Sequence, residues 1–467
     1  MLMFKNFLKI FSLASVLILS ACSSDGPKLP GEGNPDYAEG QIDLSLNIQL
    51  PFFSRATSTL PAERVNSIRI VIVDLGIDSD GNKVEGVNPF VEYNRVTGID
   101  NLKEDFDYAE GDKSIKMNIP RIYADRKKKI YLLLNTEPEE GIQSYLDIQM
   151  PDGTKMVEYD QRFFIPDATG IAPIDNAVFS APMGSYVQNN ITTGEDLMIP
   201  MTALHTFTVP TITEIAQKYP TVNAMLTYPL PEDLFVVKTM NKIWLTFLNK
   251  TNQFGNDFKA LDLMVTKCTV SDINHGSSFL FGKSGENGSL FADYNQESIN
   301  APWIQWLYDE AKSSQNPNYS PKWLTDYQIP SFEFNKSLEF TPLANATDIG
   351  NALVIPASTS NGSTVTVSTK NVPIYFPESH TGLSSQQYEM TFTVKQRPAG
   401  TDNEWGNEYT YRILSSENSS FYLPSLFRSS EVTMEVTFRT GVTGLDMEVE
   451  VIPYGSVTLN PSFGLGK

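Results

Sequence analysis

A stretch near the N-terminus carries the clearest alternation of apolar and polar residues in the chain. In QIDLSLNIQLPFFSRATST, residues 41–59, apolar side chains at every second position are separated by Asp, Ser, Asn and Gln. A period of two predicts a β-strand with one buried face. The predicted inward-facing residues are Ile42, Leu44, Leu46, Ile48 and Leu50. Arg55 follows shortly after this strand, in a loop of small residues.

The rest of the chain predicts many further strands and few helices. Dense apolar runs at 65–74 and 127–135 are typical of strands in a sheet interior. Further strands are predicted within 196–210, 242–248, 258–270, 352–357, 363–369, 387–396, 408–416, 431–440 and 445–459. Helices are predicted at 212–219 and 300–314. Short strands separated by Gly, Asn, Asp and Pro turns predict an all-β fold of two β-sandwich domains, of transthyretin-like or Greek-key type.

The first residues have the pattern of an export signal. Two lysines precede the apolar run Ile10–Leu19, which is short for a membrane-spanning helix, and no later apolar run is longer. LSAC, ending at Cys22, resembles a bacterial lipobox, in which the cysteine is lipidated and becomes the first residue after cleavage. Acyl chains on Cys22 would anchor the chain to a membrane. The alternative is an ordinary secretory signal with a cysteine there by chance.

Composition and strand density divide the chain into four segments. Residues 1–21 are predicted to be a lipoprotein signal peptide, and 22–55 a flexible tether followed by the first strand. Residues 56–210 are predicted to form the N-terminal sandwich and 211–467 the C-terminal one, with a helical and aromatic insertion near 300–327. The boundary near residue 210 is chosen because strand density falls there, at the predicted helix 212–219.

Charge and cysteine content exclude several classes of protein. The formal net charge is −20 without a basic block, which opposes nucleic-acid binding because that requires a cationic face. Cys22 and Cys268 are the only cysteines, so a lipidated Cys22 leaves no disulfide. Cys268 lies in an apolar run and is predicted to be a buried structural residue rather than a nucleophile.

No residue pattern for catalysis or metal binding is found in the chain. The three histidines, His205, His275 and His380, are widely separated, so a zinc site is not expected. GSSFLFGKS at 276–284 does not have the spacing of a phosphate-binding loop, and DSDGNK at 78–83 fits a turn better than a calcium loop. No GxSxG motif is present either. We therefore expect a protein that is not an enzyme and uses no cofactor or metal.

The most unusual local composition is an aromatic segment between residues 300 and 327. Trp303, Trp306 and Trp323 lie there among tyrosines and prolines. Exposed aromatic clusters form binding faces, so this segment is a candidate adhesive surface. The alternative is that these side chains fix an inserted helix and loop to the C-terminal sandwich.

Taken in order along the chain, these features resemble the fimbrillin family, the subunits of lipoprotein-derived pili of Bacteroidales bacteria. The resemblance covers the lipobox, the acidic tether, the alternating strand, the loop with Arg55–Ala56 and the strand SIRIVIVD. It continues through KIYLLLNTEP, LMIPMTALHTFTV, IYFPESH, LFRSSEVTMEVTFRT and LDMEVEVIPYG. The chain departs from the family's usual sequence at two places. It has Arg428–Ser429 where the family often has Arg-Asn, and Pro453–Tyr454 where the family often has Pro-Trp. These departures favour a divergent or accessory subunit over a main stalk pilin.

The resemblance implies a specific processing pathway. A trypsin-like, arginine-specific protease would cut Arg55–Ala56 at the outer membrane, removing the lipid and the first strand together. The groove left behind would receive an extended segment of a neighbouring subunit by strand addition. The lipidated precursor would then be the only membrane-bound form, and the mature chain would lie in a cell-surface fimbrium.

The position of the chain within such a fimbrium is inferred from its C-terminus. YGSVTLNPSFGLGK is rich in glycine and offers little strand that could be donated, which favours a tip or accessory subunit. The expected partners are other fimbrial subunits, and host fibronectin or collagen through adhesion. A stalk subunit is the alternative, and so is a lipid-anchored surface glycan-binding protein that keeps Cys22 and stacks sugars on the tryptophans.

Overall fold

The fold is described from a computed structural model of the 467-residue chain. The described residues are 37–50, 64–98, 114–137, 147–156, 159–180, 198–219, 226–231, 234–251, 260–273, 276–280, 336–348, 351–357, 365–369, 372–377, 388–412 and 431–439. In these ranges more than half of the residues lie in strands and few lie in helices. The all-β, sandwich-like fold predicted from the sequence is confirmed.

The strands, in chain order, have the following bounds. They are β1 Gln41–Gln49, β2 Ser67–Asp74, β3 Phe90–Gly98, β4 Ser114–Tyr123, β5 Arg126–Leu134, β6 Asp147–Gln149, β7 Val178–Ser180, β8 Met201–Val209, β9 Thr227–Pro229, β10 Leu234–Phe235 and β11 Val237–Lys238. The others are β12 Met240–Lys250, β13 Leu261–Ile273, β14 Gly276–Ser278, β15 Lys336–Phe340, β16 Leu353–Ile355, β17 Val365–Ser368, β18 Ile374–Pro377, β19 Glu389–Pro398, β20 Tyr409–Arg412 and β21 Glu431–Arg439. Helix α1 spans Ile212–Lys218, and 3-10 turns span Gln161–Phe163, Pro173–Asn176 and Ala346–Asp348.

The first sandwich consists of two sheets that enclose one core. One sheet, here called the first-strand sheet, has the order β10-β1-β4, with β9 also paired to β1. The other, the central sheet, has the order β11-β8-β5-β2-β3. Alternate apolar residues of both sheets interdigitate between them, together with Ile215 of α1. This is the arrangement that period-2 strands with one apolar face require.

The central sheet is buried on both faces. Alternate residues of β2 and β5 face the first core, and the intervening residues, such as Val73 and Tyr131, face a second core. The second core also contains residues of the small sheet β14-β7-β6 and of the C-terminal half, among them Met240 and Tyr375. Burial on two faces explains why β2 and β5 have continuous rather than alternating apolar sequences.

The C-terminal sandwich has a core of its own. Its sheets have the orders β17-β12-β18, with β21 also paired to β12, and β15-β13-β19-β20, with β16 also paired to β13. Phe247, Phe392 and Phe438 pack together between them. Cys268 is fully buried in this core, and burial raises the pKa of its thiol well above the usual range. The thiol is therefore protonated and structural.

Helix α1 occurs where the sequence predicts a helix, at 212–219, and its first residues explain why. Thr211 accepts a hydrogen bond from the backbone N–H of Glu214, and the Glu214 carboxylate accepts one from the backbone N–H of Thr211. This reciprocal capping box satisfies two donors that a helix start leaves open. No helix in the described part of the chain is both long and apolar enough to cross a membrane.

The strands after α1 belong to the first sandwich. β9 and β10 pair with β1, and β11 pairs with β8. The first strand of the C-terminal sheets, β12, begins at Met240. The predicted boundary near residue 210 therefore lies before three strands that pair with N-terminal ones. The predicted helix 300–314 and strand 445–459 lie outside the described residues.

Asn135, the residue after β5, forms hydrogen bonds with the segments that precede β2 and β8. Its backbone has a positive φ of 55°. Its Oδ1 accepts from the backbone N–H of Asn66 at 2.7 Å, and its Nδ2 donates to the carbonyls of Arg64 at 2.7 Å and Ile199 at 3.1 Å. An asparagine tolerates this conformation and also satisfies groups of two neighbouring segments.

We expect Asn135→Ala to lower the free energy of unfolding by about 3 kcal/mol, because it leaves these backbone groups without their partner and because alanine adopts a positive φ less readily than asparagine does. Asn135→Gly is the matched variant, because it loses the same hydrogen bonds without the strain and should cost about 1 kcal/mol less. Urea unfolding of both variants measures the difference. Equal losses would show that the positive φ contributes nothing.

Candidate functional site

Strand β1 holds the first-strand sheet together, because it is the only described strand that pairs with each of the others. It pairs with β4 in antiparallel orientation, and with β9 and β10 in parallel orientation on its other side. Every strand pairing described in this sheet includes β1. Taking β1 away would leave β4, β9 and β10 without the strand partner they have in this sheet. An empty slot would remain, with unpaired backbone N–H and C=O groups along both sides.

The pairing of β1 with β4 aligns apolar residues on the core face. The opposed pairs are Leu44 with Ile119, Leu46 with Met117, and Ile48 with Ile115. Near the start of β1, two residues of β4, Pro120 and Arg121, stand opposite the single residue Asp43 and form a β-bulge. Arg121 has φ 63°, and proline is tolerated because β4 lies at the edge of this sheet among the described strands. The register of the slot is thereby fixed.

The parallel side of the slot is closed by backbone hydrogen bonds. The backbone N–H of Asp43 donates to the carbonyl of Leu226 at 3.0 Å, and the N–H of Leu230 donates to the carbonyl of Ser45 at 2.9 Å. On the outward face of β1, the hydroxyl of Tyr37 donates to the Asp43 carboxylate at 2.7 Å. The strand is thus held on both edges as well as by its apolar face.

The inward face of β1 and the following residue Leu50 are almost completely removed from water. Ile42, Leu44 and Ile48 are 0% exposed, Leu46 is 2% exposed and Leu50 is 7% exposed. All five belong to the first core. A fully buried aliphatic side chain contributes about 1.5–3 kcal/mol, so the five together contribute about 7–15 kcal/mol. This equals the whole net stability of a typical domain, which is about 5–15 kcal/mol.

Several residues singled out in the sequence lie outside the described part of the chain. These are Cys22, Arg55, Ala56, Trp303, Trp306, Trp323, His275 and His380. Their predicted roles in lipidation, cleavage and adhesion stay predictions. His205 is described and lies buried in β8. Among the described residues, no group of three or more His, Cys, Asp or Glu side chains could hold a metal ion.

The acidic turn 78–83 is a turn in the structure. Oδ1 of Asp78 accepts from the backbone N–H groups of Asp80 at 3.1 Å and Asn82 at 2.7 Å, and Gly81 has φ 90°. The Asp78 oxygen is therefore used in folding the turn itself. The segment is therefore the turn that the sequence predicts.

The walls of the slot were not predicted from the sequence. The sequence of β4, SIKMNIPRIY, alternates in the same way as that of β1, with Ile115, Met117 and Ile119 facing inward. This alternation is a signal from which the strand could be predicted. Pro120 argues against a strand unless the strand is at an edge. β9 and β10 are two or three residues long within TYPLPEDLF, which has no local strand pattern.

Comparisons with known proteins give structural similarity at low identity. No protein-family model matches the chain, and no curated protein sequence matches it. A solved structure of a candidate cell adhesion protein from Parabacteroides distasonis is 10% identical, covers 90% of this chain and 96% of its own, and has a TM-score of 0.38. Another, from Bacteroides eggerthii, is 12% identical over 89% and 92% of the two chains, with a TM-score of 0.37.

A third similar structure is a fimbrilin from Porphyromonas gingivalis. It is 11% identical, covers 88% of this chain and 96% of its own, and has a TM-score of 0.37. Identities and TM-scores this low do not assign a function to this chain.

Proposed function

We propose that this chain is a structural and adhesive subunit of a cell-surface fimbrium, assembled by strand exchange after β1 is removed. The observation that carries the proposal is the position of β1. It is the one described strand that joins β4 to β9 and β10, and its apolar side chains are buried in the first core. A protein that loses this strand needs another to replace it.

The chain is connected in a way that makes β1 removable by a single cut. β1 is the first strand of the described chain, and the Arg55–Ala56 bond follows it in sequence. Cutting this bond would leave β1 held by hydrogen bonds and apolar contacts alone. The removed segment would include Cys22, so the same cut would also release a lipid-anchored precursor from the outer membrane.

The replacement strand would have to match the chemistry of the slot. It would need apolar residues at alternate positions to contact Met117 and its neighbours, and an extended backbone to pair with β4. Such a segment would come from another fimbrial subunit. We assign the chain to the tip or accessory position, with a stalk subunit as the alternative. Adhesion would be to host matrix proteins such as fibronectin or collagen, or to other cells.

The first test is N-terminal sequencing and mass analysis of the protein taken from the cell surface. We expect a chain that begins at Ala56 and carries no lipid, because the arginine bond is cut after export. An Arg55→Gln variant is the control and should keep its lipidated Cys22. If the wild-type chain begins at lipidated Cys22, β1 stays in place and a lipid-anchored surface protein becomes the better assignment.

A second test measures exchange of the strand directly. The full chain is cut at Arg55 with a trypsin-like protease and incubated with a labelled peptide of residues 41–50. We expect the peptide to be incorporated into the cut chain and not into Arg55→Gln treated in the same way. A peptide with aspartate at the positions of Leu44 and Leu46 should not enter, since it cannot fill the apolar face. Absence of incorporation into the cut chain would contradict strand exchange.

A further inference from the structure

One buried lysine in the first sandwich contacts two buried carboxyl groups that strand exchange does not use. Nζ of Lys128 lies 2.7 Å from Oδ2 of Asp74 and 2.7 Å from Oε2 of Glu92. The side chains of Lys128, Asp74 and Glu92 are 0%, 1% and 3% exposed. An amine and a carboxyl group are thus held in contact in a site closed to water.

The strands themselves bring the three groups together. Asp74 at the end of β2 is the direct cross-strand partner of Lys128 on β5. Glu92 is the extra residue of a β-bulge in β3, at the register shift opposite Ile72 and Val73. A bulge re-aims a side chain that a regular strand would direct elsewhere. The Glu92 carboxylate also accepts from the backbone N–H of Tyr123, which fixes its orientation.

We propose that Lys128 and Asp74 form an intramolecular isopeptide bond, with Glu92 as the proton carrier of the reaction. The bond that forms joins Nζ of Lys128 to Cγ of Asp74. The bond that breaks joins Cγ to Oδ2, and that oxygen leaves as water. An ammonium and a carboxylate become a neutral amide, so charge and atoms balance without an oxidant, a reductant or a co-reactant.

The neighbouring groups suit each step of this reaction. Glu92 takes one proton from Nζ, which makes the amine a nucleophile, and then passes it to Oδ2. A second proton follows the same route, the third stays on the amide nitrogen, and Glu92 ends as it began. Burial raises the pKa of Glu92, so it accepts a proton more readily than an exposed glutamate does.

Two donors face the carboxyl group that would be attacked. The backbone N–H of Gly76 lies 2.8 Å from Oδ1 of Asp74, where negative charge develops when nitrogen adds to Cγ. Nε of Arg126 lies 3.7 Å from Oδ2, the oxygen that leaves. The site therefore has a nucleophile, a proton carrier and donors for the developing charge, in the positions that amide formation requires.

The cross-link is independent of the proposed strand exchange and compatible with it. Asp74 and Lys128 both follow Arg55 in sequence, so the bond would remain in the chain after residues 22–55 are removed. It would tie together β2 and β5, which are neighbours inside the central sheet. The sheet would then resist separation of these strands even while the first-strand sheet lacks β1.

The test is mass spectrometry of the denatured full chain after trypsin digestion. We expect residues 70–83 to appear joined to a short peptide containing Lys128, with a combined mass lower by one water molecule. Trypsin should not cleave after Lys128, because an amidated lysine is not a substrate. If the wild-type digest contains residues 70–83 only as a free peptide, the proposal is wrong and the three residues form an ordinary buried ion cluster.

Three variants test the assigned roles. Lys128→Arg and Glu92→Gln should both release residues 70–83 as a free peptide. Lys129→Arg is the matched control and should keep the cross-link. Lys129 is also buried and lies 2.6 Å from Asp175, but its described Nζ contacts include only that one carboxylate. A full yield of cross-link in Glu92→Gln would overturn the role of Glu92. The wild-type digest shows whether the bond between Lys128 and Asp74 exists, even if a variant fails to fold.

Discussion

Replacing Leu46 by aspartate is expected to cost about 5 kcal/mol or more of folding free energy and to unfold the first sandwich at neutral pH. Leu46 is 2% exposed and faces Met117 of β4 across the core. The substitution removes an apolar side chain worth about 1.5–3 kcal/mol and buries a carboxylate among the apolar side chains of the first core. The sum is comparable with the net stability of a whole domain.

Ser45→Asp is the matched control for this experiment. Ser45 is the neighbouring residue on β1 and lies on the opposite face, paired with Asn118. The same charge placed there should change the free energy of unfolding by less than about 1 kcal/mol. Urea unfolding and hydrogen exchange of the β4 amides measure both variants in the full chain. If the two variants unfold at the same urea concentration, β1 contributes nothing to the folded core.

The alternation in β1 could be predicted because every determinant of it is local. An apolar residue at each second position gives a half-buried strand whatever its partners are, and the five predicted residues are the five buried ones. What makes β1 unusual is not local. Its position between β4 on one side and β9 and β10 on the other depends on segments far along the chain.

The burial and the partners of the charged residues in the central sheet could not be predicted from the sequence either. The run Lys127–Lys128–Lys129 begins the segment 127–135 that is predicted to be an interior strand, but nothing in it indicates that Lys128 and Lys129 are buried on opposite faces of β5. Their partners lie at positions 74, 92 and 175, on other elements. Lysine is buried at a tolerable cost only when it is paired, and the pairing is a property of the tertiary fold.

Asp175 is the partner of Lys129 and the centre of a second buried polar cluster. Its carboxylate accepts from Nζ of Lys129 at 2.6 Å, from the hydroxyl of Tyr131 at 2.8 Å and from the backbone N–H of Ala172 at 2.9 Å. Burial and the Asp175 charge raise the pKa of Tyr131 well above its usual range, so its phenol keeps the proton that it donates. The cluster lies within the second core, which joins the two halves of the chain.

We expect Asp175→Ala to lower the free energy of unfolding by about 3–5 kcal/mol, because it leaves the buried ammonium of Lys129 uncompensated and two further donors without an acceptor. Asp175→Asn keeps an acceptor oxygen and loses the charge, so its loss should be smaller. Asp152→Ala, at an exposed turn, is the control and should cost no more than about 1 kcal/mol. Urea unfolding of the three variants measures the loss of unfolding free energy in each and so the order of the three losses. A loss in Asp175→Ala no larger than that of Asp152→Ala would mean that the ion pair with Lys129 does not hold the second core together.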